Sequence, residues 1–86
     1  MARVFITGSA DGLGRLAAEV LLAAGHEVVV HVRGEPRLAA VQELLARGAT
    51  AVVGDLADLG RTRAVADQVN ALGAMDAVIH NAGVYT

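Results

Sequence analysis

Arg3-Val4-Phe5-Ile6-Thr7-Gly8-Ser9-Ala10-Asp11-Gly12-Leu13-Gly14 is the stretch that decides the fold. Its first five residues are a short β-branched and aromatic run, which reads as a strand stopping at Gly8. After the Gly-rich turn, Leu13 to Ala24 is rich in Ala and Leu and gives way to Gly25, a residue suited to the left-handed exit of a helix. A strand, a glycine turn and a helix within some twenty residues open a β-α unit.

Working outward, the same alternation continues. In the helix, Leu13, Leu16, Val20 and Leu21 cover more than one face, which predicts a largely buried helix. Glu27 to Val32 contains Val28-Val29-Val30, a run with almost no polar relief that suits a central parallel strand covered on both faces. Pro36 opens a second helical segment, with Leu38, Val41 and Leu45 as its stripe and Gly48 as its close. Thr50 to Val53 is a third strand ending at Gly54-Asp55. Asp58 is placed to cap a third helix whose stripe is Val65, Val69 and Leu72, closed by Gly73. Ala77-Val78-Ile79-His80 is a fourth strand, stopping at Asn81-Ala82-Gly83. The order β-α-β-α-β-α-β implies an α/β fold in one domain over residues 1–86, a Rossmann-like parallel sheet with helices on both faces. Because the first strand carries the glycine turn, the expected strand order is 3-2-1-4.

Composition narrows the function. The chain has 86 residues, a net charge of −2, no Cys, and Phe5 and Tyr85 as its aromatic residues. A stacking platform for nucleic acid is therefore not expected, and neither is a phosphate-backbone binder, which carries a basic excess. Without Cys there are no disulfides, zinc-thiolate sites or thiol nucleophiles. All seven basic side chains are Arg; with no Lys, every lysine-dependent mechanism is missing from these residues. The apolar start is too short for a signal peptide, and Arg15 and Glu19 interrupt the longest early apolar stretch, so the expectation is a cytoplasmic chain with no membrane span.

The turn carries chemistry if it carries any. Gly8 lets the chain leave the strand sharply, Gly12 brings backbone N–H groups near a pyrophosphate with no Cβ in the way, and Gly14 lets the helix approach the sheet. The helix N-terminus adds unpaired N–H donors and a partial positive charge. Gly-x-x-x-Gly-x-Gly differs from the more general Gly-x-Gly-x-x-Gly spacing, so its weight comes from the strand–turn–helix context. A tight turn without a ligand is the plainer alternative.

With Thr7-Gly8-x-x-x-Gly12-x-Gly14, Asp55-Leu56 after the third strand and Asn81-Ala82-Gly83 after the fourth, the sequence resembles the short-chain dehydrogenase/reductase family. The resemblance runs from residue 3 to residue 84 and fits the shorter oxidoreductase branch rather than the extended, epimerase-like one. It implies that Gly8, Ser9, Gly12, Leu13 and Gly14 cradle the phosphates and ribose of a nicotinamide dinucleotide. Asp55 would accept from the adenine amino group, and Leu56 would supply a backbone contact and an apolar wall. Asn81, Ala82 and Gly83 would line the cofactor near its nicotinamide-side ribose. Asp55 as a plain turn residue and Asn81-Ala82-Gly83 as a bare strand exit stay open beside these roles.

The end of the second strand bears on which cofactor. An NAD enzyme usually places an acid there, which takes the ribose hydroxyls and repels a 2′-phosphate. Here the position is Val32, followed by Arg33, whose guanidinium suits a 2′-phosphate. The expectation is NADP, with Glu35 nearby keeping NAD open and a solvated Arg33 the plainer alternative. His26 reads as solvated and His80 as a hydrogen-bonded structural residue. His31 falls near the adenosine end and is given no catalytic role.

The family's reaction is hydride transfer between the nicotinamide and a small-molecule carbonyl or alcohol, with a Tyr assisted by Lys and Ser as acid/base. Ser9 lies in the cofactor turn, Tyr85 is next to last, and Lys is absent, so no catalytic residue is assigned. Four strands against the usual six, with Val78-Ile79 on an open edge, suggest the first half of a longer reductase, or a small protein that pairs this edge in a homo-oligomer. Three readings result: the cofactor-binding part of an oxidoreductase, a non-catalytic nucleotide-binding or redox-sensing module, and a structural oligomer with a vestigial turn.

Overall fold

The structure is a computed structural model that describes residues 2–8, 12–55 and 59–80. Strands β1 (Arg3–Thr7), β2 (Glu27–Val32), β3 (Thr50–Val53) and β4 (Ala77–His80) form one sheet in the order β3-β2-β1-β4. Every pairing is parallel: Val4 lies opposite Val28 and Ala77, Thr7 opposite His80, and Val32 opposite Val53. All four strands thus end along one rim, which is where a doubly wound sheet gathers its functional turns.

Alternation along the strands sorts the core into two layers. Val4, Ile6, Val28, Val30 and Val32 face helix α1 (Gly12–Ala23) and helix α2 (Gln42–Ala46), packing with Ala18, Val41 and Leu44. Phe5, Val29 and Val52 face helix α3 (Leu59–Ala71) through Val65, with Val69 and Met75 at the margin. The side chains that fill both layers are small and mostly β-branched, as a sheet buried on both faces requires.

Two helices differ from the sequence expectation. On α1 the buried positions are Gly14 and Ala18, with Ala17, Leu21 and Leu22 packed at the edge of the core. Leu13, Leu16 and Val20 are 75%, 54% and 59% exposed, so the helix is not largely buried. The reason is close approach: the sheet takes the stripe of smallest residues, and the larger Leu and Val side chains are left on the far side. The second helical segment begins as a 3-10 helix over Glu35–Val41, with Pro36 in its first turn, and becomes α-helical only at α2. Three residues per turn align Leu38, Val41 and Leu44, and it is Leu44 rather than Leu45 that is fully buried.

The start of the chain is tied down by polar contacts at the opposite rim. The Ala2 N–H donates to His26 Nδ1 at 3.0 Å, so His26 is partnered and half-buried, not simply solvated. Arg3 donates from Nε to Glu27 at 2.8 Å and from Nη1 to the Leu72 carbonyl at 2.7 Å, bracing the end of α3. No helix among the described residues is long and apolar enough to cross a membrane.

Candidate functional site

The rim formed by the C-terminal ends of the strands carries the candidate residues. Gly8 leaves β1 with φ of 65°, and Gly12 opens α1 with φ of 61°. Both values lie in the left-handed region that a side chain disfavours, which is why glycine stands at these two positions. A Cβ built on Gly12 would meet nothing within 4 Å, so protein packing leaves the space beside that turn open. Gly14, two residues later in the same turn, is buried.

The first turn of α1 contains no acidic residue. The positive end of the helix dipole is therefore not neutralised by an acid within that turn, and it favours an anion. Arg15, also in this turn, is directed elsewhere: its guanidinium donates to the Ala40 carbonyl and lies 3.6 Å from the Glu43 carboxylate and 3.7 Å from that of Glu19. Leu13 is exposed at the turn. Arg33 follows β2 directly, is exposed, and makes no ion pair among the described residues. Asp55 follows β3 on the same rim and is half-buried. Ser9, Leu56, Asn81, Ala82 and Gly83 lie outside the described residues, as does Asp58.

Two side chains to which sequence reasoning gave no role in the site hold its backbone together. His31, 3% exposed, accepts from the Gly8 N–H at Nδ1 (2.9 Å) and contacts the Gly54 carbonyl through Nε2 (2.6 Å). Gln68 on α3 accepts from the Val53 N–H at 3.1 Å and donates to the Val53 carbonyl at 2.9 Å. Its carboxamide thus pairs with edge strand β3 as a neighbouring strand would. The signals were present in the sequence. His31 is the one polar residue inside the Val28–Val32 run, and Gln68 sits three residues after Val65 on the face turned to the sheet. A polar group at such a position must find a hydrogen-bond partner.

A hollow of about 160 Å³ lies at the other end of the sheet, lined by Arg3, Glu27, Thr50 and Leu72 among others. Its principal polar groups, Arg3 and Glu27, are already engaged with one another, so it offers little to a ligand. The candidate residues lie on the opposite rim.

Comparison with known proteins agrees with this geometry. The chain is 48% identical over 84 residues to an uncharacterized oxidoreductase of Emericella nidulans, covering 98% of this chain and 33% of that protein. It is 42% identical over 84 residues to the short-chain dehydrogenase chyC of Penicillium rubens, again covering 98% and 33%. The chain therefore spans about a third of the length of the curated relatives it matches. Among solved structures it superposes on the Pseudomonas aeruginosa RhlG/NADP active-site complex with a TM-score of 0.86 at 27% identity, covering 99% of this chain and 34% of that one. A 3-oxoacyl (acyl-carrier-protein) reductase from Agrobacterium tumefaciens, solved with NADP bound, gives a TM-score of 0.79 at 30% identity over 99% and 34% of the two chains. The short chain dehydrogenase family model matches residues 2–86. With its parallel sheet in the order 3-2-1-4 and its glycine turn at the end of β1, the chain belongs to the short-chain dehydrogenase family.

Proposed function

We propose that residues 1–86 are the dinucleotide-binding part of an NADP(H)-dependent oxidoreductase acting on a small-molecule carbonyl or alcohol. The observation that carries this reading is the turn between β1 and α1. It has two left-handed glycines, open space beside Gly12 and a helix whose first turn contains no acid. When bound, the nicotinamide would supply or accept the hydride. The residues here bind and orient it: Gly8, Ser9, Gly12, Leu13 and Gly14 at the phosphates and ribose, Asp55 and Leu56 at the adenine, and Asn81, Ala82 and Gly83 toward the nicotinamide side. None of the 86 residues is assigned as the acid/base of the reaction.

Arg33 supports NADP over NAD. An exposed guanidinium with no ion pair among the described residues follows directly on Val32, the position where an NAD enzyme would keep a carboxylate. Such a group gains charge-assisted hydrogen bonds from a 2′-phosphate. We also place the protein in the cytoplasm as a homo-oligomer without a nucleic-acid or membrane partner. The net charge of −2 and the scarcity of aromatics speak against a nucleic-acid partner. The test is calorimetric titration of the intact protein and its Arg33→Ala variant with NADP and with NAD. NADP is expected to bind more tightly, and the substitution to lower that preference by about tenfold or more. An unchanged preference contradicts the role of Arg33; binding of neither dinucleotide overturns the reading.

A further inference from the structure

We propose that His31 is a positioning residue that joins the phosphate-side turn at Gly8 to the adenine-side turn at Gly54-Asp55, fixing their separation for a ligand that spans both. The inference rests on the dinucleotide reading of this rim and extends it to a residue that touches neither end of the ligand.

Hydrogen-bond direction defines the state of the ring. The Gly8 amide is a donor, so Nδ1 of His31, 2.9 Å away, must present its lone pair. The ring proton then sits on Nε2, which donates to the Gly54 carbonyl at 2.6 Å. His31 is held as the neutral Nε2–H tautomer, buried to 3% exposure, with one polar arm toward β1 and the other toward β3.

The placement of these arms gives them their purpose. The β1–β2 ladder ends at Ile6 opposite Val30, and the β2–β3 ladder at Val32 opposite Val53. The imidazole carries the connection past both ladders, to the residues where the chains turn out of the sheet. On one side it draws in the Gly8 N–H at a left-handed φ of 65°. On the other it holds the Gly54 carbonyl, while the Gly54 N–H donates to the Val32 carbonyl at 3.0 Å. In a trans peptide the C=O and the following N–H point in opposite directions, so fixing the Gly54 carbonyl inward aims the Asp55 N–H outward. Gln68 holds Val53, the preceding residue, by both of its backbone groups. One side chain of β2 thereby sets both turns, and their spacing does not have to be established when ligand binds.

The test compares a ligand that must span both turns with one that need not. The intact protein, His31→Phe and His31→Asn are titrated with NADP and with adenosine 2′-monophosphate, which has no 5′-phosphate to reach the Gly8 turn, and thermal unfolding confirms that each variant is folded. His31→Phe keeps a flat ring and loses both arms; it is expected to weaken NADP by about tenfold and the monophosphate by clearly less. His31→Asn can still accept from the Gly8 amide and is expected to recover part of the NADP affinity. A purely structural role would weaken both ligands alike, and that result, or no effect on either, overturns the proposal. Should His31→Phe fail to fold, long-range ¹H–¹⁵N correlation on the unsubstituted protein decides: the Nε2–H tautomer is expected at neutral pH, and an Nδ1–H tautomer or imidazolium contradicts it. An unsubstituted protein that binds neither ligand overturns the dinucleotide reading itself, an outcome distinguishable because it appears before any substitution is made.

Discussion

The Gln68 carboxamide pairs with both backbone groups of Val53, at 3.1 Å to the N–H and 2.9 Å to the carbonyl. A helix side chain thus completes the outer edge of β3, which has β2 on its other side. Edge backbone left without partners is a liability for pairing with other chains, and this contact removes part of it next to the Gly54-Asp55 turn. Gln68→Ala is expected to lower stability by about 1–2 kcal/mol, the range for two partly buried hydrogen bonds. Gln68→Glu should be no better, because its carboxylate accepts from the Val53 N–H but faces the Val53 carbonyl with another oxygen. Denaturant midpoints of the two variants check this; a Gln68→Glu protein as stable as the unsubstituted one would contradict the strand-like pairing.

Gly12 separates folding from binding. Its φ of 61° makes Gly12→Ala cost about 1–2 kcal/mol, the penalty for an L-residue in the left-handed region. No protein atom lies within 4 Å of the new methyl group, so no packing clash adds to that cost. Dinucleotide affinity is expected to fall by more than the change in unfolding free energy, because the methyl group intrudes where the phosphates approach. Paired calorimetry and thermal unfolding make the comparison, and intact affinity in Gly12→Ala would remove this turn from the site.

Arg3 and Gly73 should behave as a coupled pair. The Arg3 guanidinium reaches the Leu72 carbonyl at 2.7 Å, and a Cβ on Gly73, whose φ is 106°, would stand 2.6 Å from Arg3 Nη1. Arg3→Ala is expected to cost about 1 kcal/mol, since its partners are largely exposed. Gly73→Ala costs more, because it combines backbone strain with displacement of the guanidinium. In the double variant the displacement no longer occurs, so the two costs should sum to more than the double variant loses. Full additivity in a double-mutant cycle would contradict the contact.

Leu44 tests the core assignment. It is fully buried between α2 and the sheet, next to Val41. Leu44→Ala is expected to destabilise by about 2–5 kcal/mol, through lost transfer energy and the cavity left behind. Leu45→Ala, one residue along and only partly buried, should cost distinctly less. Equal costs would restore the Leu38-Val41-Leu45 stripe that the sequence alone suggests.

The strands were legible because each is a β-branched or apolar run cut off by glycine or a polar turn, and that pattern has no competing helical reading. Their order followed from the position of the glycine turn. The orientation of α1 was not legible. With Ala and Leu all round it, hydrophobic counting cannot distinguish the Leu13-Leu16-Val20 stripe from the Gly14-Ala18 stripe, and the sheet selects by size. The 3-10 start of the second helical segment was hidden for a related reason, since Leu38-Val41 fits a period of three as well as one of 3.6. Within the candidate site, the turn at Gly8, Gly12 and Gly14 could be anticipated because motif spacing is local. His31 could not, because its partners, Gly8 and Gly54, each lie 23 residues away and meet it only through the strand order.

The central claim is that a dinucleotide binds along the rim where the strands end. The most direct measurement is a titration of the ¹⁵N-labelled intact protein with NADP, followed by amide chemical-shift changes. The account predicts that the shifts concentrate at Gly8, Gly12 to Gly14, Arg33 and Gly54-Asp55, and spare Arg3, Glu27 and Thr50 at the opposite end of the sheet. Saturable shifts centred on Arg3, Glu27 and Thr50, or none at millimolar NADP, would contradict it.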